Sequence, residues 1–222
     1  MRKIIITFFL TLAFSFCLAQ NDKEFDNLPS GVNVNFQKNP IRKDIEGNPY
    51  YFEDWRKGII RYSKDSYKID THEMNINLLT SEVIFNRHNK TYVVSNKENI
   101  KQVEFEEDTF KLVELKSKLY FSRVAYNGKY SVLELVTSKF VEGTPAKGYT
   151  PATKDRYERK SRFYIQFPDE SLQEINPGNG KKIFKLLDAK TAELKQYVDD
   201  NKIKLNELSS LIKAMEYYNS LI

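Results

Sequence analysis

From Tyr50 to Ile175 apolar side chains recur at every second position; beyond the breaker Asn176-Pro177-Gly178-Asn179-Gly180 they recur at every third or fourth. A period of two gives a pleated strand one apolar face, and a period of 3.6 gives a helix one apolar stripe. The chain therefore reads as α+β. An antiparallel β-meander occupies residues 49–176, and a C-terminal helical segment of two to three helices occupies 177–222. Strands are predicted near 58–63, 67–70, 74–79, 82–86, 91–95, 100–106, 110–115, 119–126 and 130–141, with alternation resuming at 162–167 and a short last strand at 172–175. So many short strands rarely stay flat, so the sheet is expected to be strongly bent or partly closed. Short links of turn-forming residues make successive strands antiparallel neighbours. Asn127-Gly128, two residues that tolerate positive φ, predicts a tight primed hairpin turn.

In the helical segment, Ile183, Phe184, Leu186 and Leu187 mark a first short helix. Asp188 is placed to cap a second, carrying Leu194, Tyr197 and Val198 and ending at Asp200-Asn201. Asn206 is placed to cap a third, whose stripe is Leu208, Leu211, Ile212, Met215 and Tyr218. Such a stripe must be buried against another layer.

The other end of the chain carries an address. Arg2 and Lys3 precede an apolar run from Ile4 to Phe16, and Cys17-Leu18-Ala19 has small residues at its first and third positions. This pattern describes a secretory signal peptide over 1–19, cleaved after Ala19, with the mature protein periplasmic or secreted. The run is too short for a spanning helix, which needs ~20 apolar residues. Lipid anchoring at Cys17 is disfavoured by the bulky Phe16 before it. Residues 20–48, rich in Asn and Asp, read as an irregular N-terminal arm, with a short strand suggested by Val32, Val34 and Phe36.

Of 35 basic and 30 acidic residues, only Arg2 and Lys3 leave with the signal, so the mature balance is 33 against 30, or +3. That gives no electrostatic case for nucleic acid, which wants a concentrated basic face. Cys17 is the only cysteine. The mature chain can form no disulfide and must be held by its core.

Three stretches carry a resemblance: Gly47-Asn48-Pro49-Tyr50 with Lys57-Gly58; the basic Pro-containing loop leading into Arg159-Lys160-Ser161-Arg162-Phe163-Tyr164; and Leu194-Lys195-Gln196-Tyr197-Val198 with Asn201-Lys202-Ile203-Lys204 and Tyr217-Tyr218-Asn219. On these the chain resembles a loose group of uncharacterised exported proteins of Bacteroidota-type bacteria. The resemblance implies export and a β-then-α layout, and no activity.

No catalytic signature is present. No serine lies in a Gly-x-Ser-x-Gly elbow. His72 and His88, the only histidines, do not make a metal site with Glu73, because adjacent residues on a strand face opposite sides. The acidic run Glu104, Glu106, Glu107 and Asp108 reads as a solvated edge or turn. No cofactor is implied.

The strongest surface candidate is a long basic loop at 142–160. Between positions 147 and 162 lie Lys147, Lys154, Arg156, Arg159, Lys160 and Arg162, against Asp155 and Glu158 only. Loops this long are either functional or disordered. Tyr50, Tyr51 and Trp55 form a second candidate, since flat rings can stack on sugars, although aromatics also fill β cores. The expected function is an exported cell-envelope or secreted binding protein. Its partner would be an envelope protein, a glycan or an anionic lipid surface. The alternative is a glycan-acting hydrolase with carboxylates assembled across strands.

Overall fold

Alternation is realised as one antiparallel sheet. A computed structural model describes residues 34–37, 45–62, 68–69, 73–87, 90–176, 180–187 and 189–222. The signal segment, Cys17, His72, His88 and Asp188 lie outside the described residues. Among the described residues, twelve strands form the sheet: β1 (Val34–Gln37), β2 (Arg56–Tyr62), β3 (Lys68–Ile69), β4 (Glu73–Asn77), β5 (Glu82–Arg87), β6 (Lys90–Val94), β7 (Ile100–Phe105), β8 (Thr109–Leu115), β9 (Lys118–Tyr126), β10 (Ser131–Val141), β11 (Arg156–Gln166) and β12 (Leu172–Ile175). Helices α1 (Gly180–Leu186), α2 (Thr191–Asp200) and α3 (Leu208–Ser220) follow.

The strand order is β1-β6-β5-β4-β2-β7-β8-β9-β10-β11-β12, with β3 also on β2. The simple meander order is broken in the first half of the sheet: β1 pairs with β6 and not with β2, and β3 pairs with β2 and not with β4. β6 and β7 are consecutive in the chain but not neighbours, because β1 takes the edge of β6 and β7 pairs with β2. The link from Val94 to Ile100 includes a 3-10 turn, Lys97–Asn99. It reaches roughly 16 Å, while four strand spacings across a flat sheet need about 19 Å. The sheet therefore folds over. The Lys97 ammonium pins the link by donating to the carbonyls of Thr80 (3.3 Å), Ser81 (3.0 Å) and Leu119 (3.3 Å). β2 is the shared strand at the fold. Its Arg56 and Lys57 pair with β4, and Gly58 to Tyr62 pair with β7. A Cβ at Gly58 would lie 2.8 Å from both Glu104 O and Met74 Cε, so glycine is what the squeeze between strands admits.

The irregular segment 45–52 bridges the bend. It pairs with β4 through Tyr51 N–H to Ile76 O (2.9 Å) and Leu78 N–H to Pro49 O (2.8 Å), and with β11 through Tyr157 N–H to Glu46 O (2.9 Å). Ser138 N–H of β10 donates to Leu78 O (3.0 Å), drawing the β4–β5 turn against the far half of the sheet.

The predicted primed turn lies elsewhere. Four residues, not two, join β9 to β10, and Gly128 does not take left-handed backbone. Its bare Cα makes room instead: a Cβ there would sit 2.9 Å from Asn219 Oδ1. The tight turn is Lys116-Ser117, both left-handed (φ 51° and 61°), between β8 and β9.

One end of the sheet is buried on both faces. Val132 and Ile165 face each other across β10 and β11, and with Ile175 they meet the helices through Ile183, Leu194, Leu211 and Met215. Their chain neighbours Leu133 and Tyr164 point the other way, into a cluster with Val113 and Leu135. Full burial of each aliphatic side chain is worth about 1.5–3 kcal/mol, and several such residues dock helices that are too short to persist alone. The expected cap at Asn206 is not used. Glu207, extended at φ −127° and ψ 150°, precedes α3, and no side chain caps it. Lys190, left-handed at φ 57°, precedes α2. The helix is secured at its other end. Asn219 accepts from Tyr130 N–H (2.9 Å) and donates to Tyr130 O (3.1 Å), closing a two-bond clamp on the β9–β10 connection.

Candidate functional site

β10 and β11 pair over eleven facing residues, from Ser131↔Gln166 to Val141↔Arg156. The numbers of facing residues add to one constant, and Lys147↔Thr150 keeps that constant. Lys147 and Thr150 exchange both backbone hydrogen bonds at 3.0 Å, and Thr153 N–H donates to Thr144 O at 2.9 Å. The stretch expected as a loop at 142–160 is therefore a ribbon. Residues 156–160 belong to β11, and 142–155 extend the hairpin to a two-residue tip. At the tip Gly148 is left-handed (φ 59°) and Tyr149 is not, as in a type II′ turn. The six residues on each side beyond Val141 and Arg156 project up to about 20 Å. Pro145 and Pro151 interrupt the ladder and blunt the ribbon's edges against further pairing.

The ribbon's outer part is exposed throughout residues 144–154. Tyr149 is 107 % exposed, so its ring touches nothing in the protein. The stem is braced. Phe140 and Tyr157 meet at 5.9 Å edge to face. Glu46 forms a parallel bridge to Arg156. Gly47 is left-handed (φ 82°) where a Cβ would press within 3.2 Å of Tyr157 O.

The six predicted basic residues separate into roles. Arg159 is structural: its guanidinium donates to the carbonyls of Tyr50 (2.5 Å), Asn48 (3.3 Å) and Tyr51 (3.3 Å). Arg156 is tied to Glu158, whose carboxylate also takes Lys139 Nζ at 2.9 Å. Hydrogen bonds from Lys139 and then Arg156 hold the Glu158 pKa below the usual carboxylate range. Arg156, Glu158, Lys160 and Arg162 alternate onto one face of β11. Lys160 is exposed, and Arg162 is half-buried with its Nε lacking a hydrogen-bond partner. Lys147 and Lys154 stand on the projecting part. Lys154 lies 3.8 Å from Glu46 Oε1, both exposed, a pair of little energetic weight. Between Gly143 and Lys154 the ribbon carries no carboxylate.

Tyr50, Tyr51 and Trp55 do not form an open stacking platform. Tyr50 is 3 % exposed, and Trp55 packs 5.8 Å from it. Tyr51 lies edge-on to Phe52 and Phe110, each at 4.8 Å. Burial, then Tyr157, pushes the Tyr50 phenol up to about 12. Burial likewise raises Tyr51 to about 12, with Arg123 and Arg159 opposing and Asp108 and Glu134 adding to the shift.

The sequence also conceals a half-buried charge cluster beneath Tyr51. Arg123 donates to Glu134 Oε2 from Nε (2.9 Å) and Nη2 (2.6 Å), and its Nη1 lies 3.5 Å from Asp108 Oδ1. Burial works against the Arg123 charge, but the Glu134 bond and the neighbouring groups outweigh it and raise its pKa. The cluster is internally satisfied and cements β9 to β10. The acidic run divides accordingly: Glu104 pairs with Arg61, Asp108 with Arg123, and Glu106 and Glu107 are exposed.

A shallow groove of about 460 Å³ lies between the β9–β10 connection, the turn after β11 and strands β7 and β8. Lys101, Lys111, Lys129 and Gln166 line it, and its two carboxylates, Glu98 and Glu170, are exposed. Among the described residues no three His, Cys, Asp or Glu side chains gather as a metal site would require. Among the same residues no helix is long and apolar enough to cross a membrane.

No family model, no curated protein and no solved structure matches the chain.

Sequence reasoning named the ribbon's cations but missed Tyr149. A signal was present: Thr-Pro-Ala recurs at 144–146 and 150–152, bracketing Lys147-Gly148-Tyr149. Two proline-interrupted arms around a glycine describe a hairpin tip with its following residue displayed.

Proposed function

We propose that the protein is an exported binding protein of the cell envelope, periplasmic or secreted, which meets its partner through the β10–β11 ribbon. The observation that carries this reading is the bare Tyr149 at the end of a braced, exposed ribbon. Ordering a residue's backbone costs about 1–2 kcal/mol, and residues 144–153 offset none of it by burial in the core. A two-residue turn would close the same hairpin. The fold does not need the extension, so its role lies in contact with something else. Tyrosine and cationic side chains on a pre-ordered support are what recognition surfaces favour. The glycan-hydrolase reading has less behind it. The groove's carboxylates are exposed, and the half-buried carboxylates near Tyr51, Asp108 and Glu134, are held by Arg123.

Replacing residues 144–153 with Asn-Gly tests the proposal. The shortened protein should keep its unfolding midpoint within about 3 °C, as for a change that disturbs no core contact. Its retention by immobilised envelope fractions should fall at least tenfold. Equal retention of the shortened and full-length proteins would contradict the reading.

A further inference from the structure

Resting on the reading that the ribbon is the contact surface, we propose that its tip docks on an anionic phospholipid bilayer. Tyr149 would lie at headgroup depth, and Lys147 and Lys154 would meet lipid phosphates. Four observations carry the assignment. The stretch from Gly143 to Lys154 is free of acids and carries Lys147 beside the tip and Lys154 further back, and the nearest carboxylates, Glu46, Glu142 and Asp155, lie at its base. Lysines near a negative surface strengthen binding about fivefold each and act within a Debye length. The wholly exposed Tyr149 is an aromatic ring with a polar end, the side chain that suits the boundary between headgroups and acyl chains.

The backbone agrees with this placement. Lys147 and Thr150 satisfy each other's N–H and C=O groups, and Pro145 and Pro151 have no N–H to desolvate. The remaining N–H groups, of Ala146, Gly148, Tyr149 and Ala152, are met by headgroup oxygens and water at a shallow depth, so the tip suits the interface and not the hydrocarbon. The shape decides between partners. Two strands about 5 Å apart end in a footprint far below the roughly 800 Å² per side of a stable protein interface. A soft lipid surface needs only the tip. No large aliphatic accompanies Tyr149, so insertion is shallow, reversible and dependent on charge.

Flotation of the mature chain with vesicles tests this. Phosphatidylcholine vesicles should leave the protein unbound. Vesicles with about a third phosphatidylglycerol should bind it at about 0.05 M salt and release it at about 0.5 M. The double variant Lys147→Glu/Lys154→Glu should weaken binding at least about 25-fold, and Tyr149→Ser severalfold. Lys111→Glu/Lys129→Glu in the groove should change it less than twofold. Absence of binding to anionic vesicles, or equal binding by the tip variants, overturns the lipid assignment. If vesicles fail while the Asn-Gly variant still loses retention by detergent-extracted, lipid-depleted envelope protein, the ribbon reading stands and its partner is a protein cleft. If that retention is also independent of the ribbon, both proposals fall.

Discussion

Asn75→Leu should destabilise the protein by about 3 kcal/mol, lowering its thermal midpoint by about 10 °C. Asn75 is 1 % exposed on β4. Its Oδ1 accepts from Phe52 N–H (3.0 Å) and Ile76 N–H (2.9 Å), and its Nδ2 donates to Phe52 O (3.0 Å) and Asp54 O (3.3 Å). One amide thus holds the irregular segment before β2 against the sheet. Leucine has a similar volume, so the loss comes from leaving the Phe52 N–H buried without a partner, at about 1–3 kcal/mol, and the Phe52 C=O with only the long bond from Asn48 Nδ2 (3.5 Å). The effect should spread along this segment. Phe52 packs under the Arg56 guanidinium at 4.4 Å and against Phe105 at 4.7 Å, and Tyr51 beside it receives Arg159 from the ribbon stem. Equilibrium urea unfolding of the variant measures the change. A loss under about 1 kcal/mol would mean that the segment is held by other contacts.

Tyr218→Ala should cost about 3–5 kcal/mol, as expected for removing a fully enclosed aromatic side chain. Tyr218 is 0 % exposed on α3. Its ring meets Tyr130 edge to face at 5.2 Å, and Tyr130 meets Phe167 at 5.4 Å, so three rings join the last helix to the β9–β10 and β11–β12 connections. Asn219 clamps the backbone of Tyr130 one residue further on. Truncation at 218 should therefore loosen α3 as a unit, with faster amide exchange over 208–220 than over β7 and β8. Tyr218→Phe keeps the ring and should cost no more than about 1.5 kcal/mol. A small loss in the alanine variant would contradict helices docked on the sheet.

The fold was legible where one face of an element is buried and the other is not. β12 falls at its predicted limits, and β8 and β9 fall within one residue of theirs. The helical stripe was legible for the same reason: Leu211, Met215 and Tyr218 are its buried members. The first half of β11 was not. Arg156 to Lys160 stand on a ribbon where neither face is fully buried, so burial imposes no alternation for a sequence to record. The crossing from β6 to β7 was also hidden. A short link implies pairing only on a flat sheet, and this sheet folds at β2. Local turn chemistry misled at Asn127-Gly128, where glycine answers the close approach of Asn219 rather than a positive φ. Of the candidate site, the cations were readable as composition. Their division was not, because Glu158, the carbonyls of Asn48, Tyr50 and Tyr51, and Glu46 come together only through pairing across the sheet. Tyr50 shows the same limit: nothing in Tyr50-Tyr51-Phe52 distinguishes a ring in the core from one at the surface.

The central claim is that the molecule acts through its ribbon and not through its groove. Hydrogen exchange of the mature chain, alone and bound to envelope membranes, tests it most directly. Amides from 143 to 154 should slow on binding, while those of the groove at Lys111, Lys129 and Gln166 stay unchanged. Slowing at the groove with none at the ribbon tip would contradict the account.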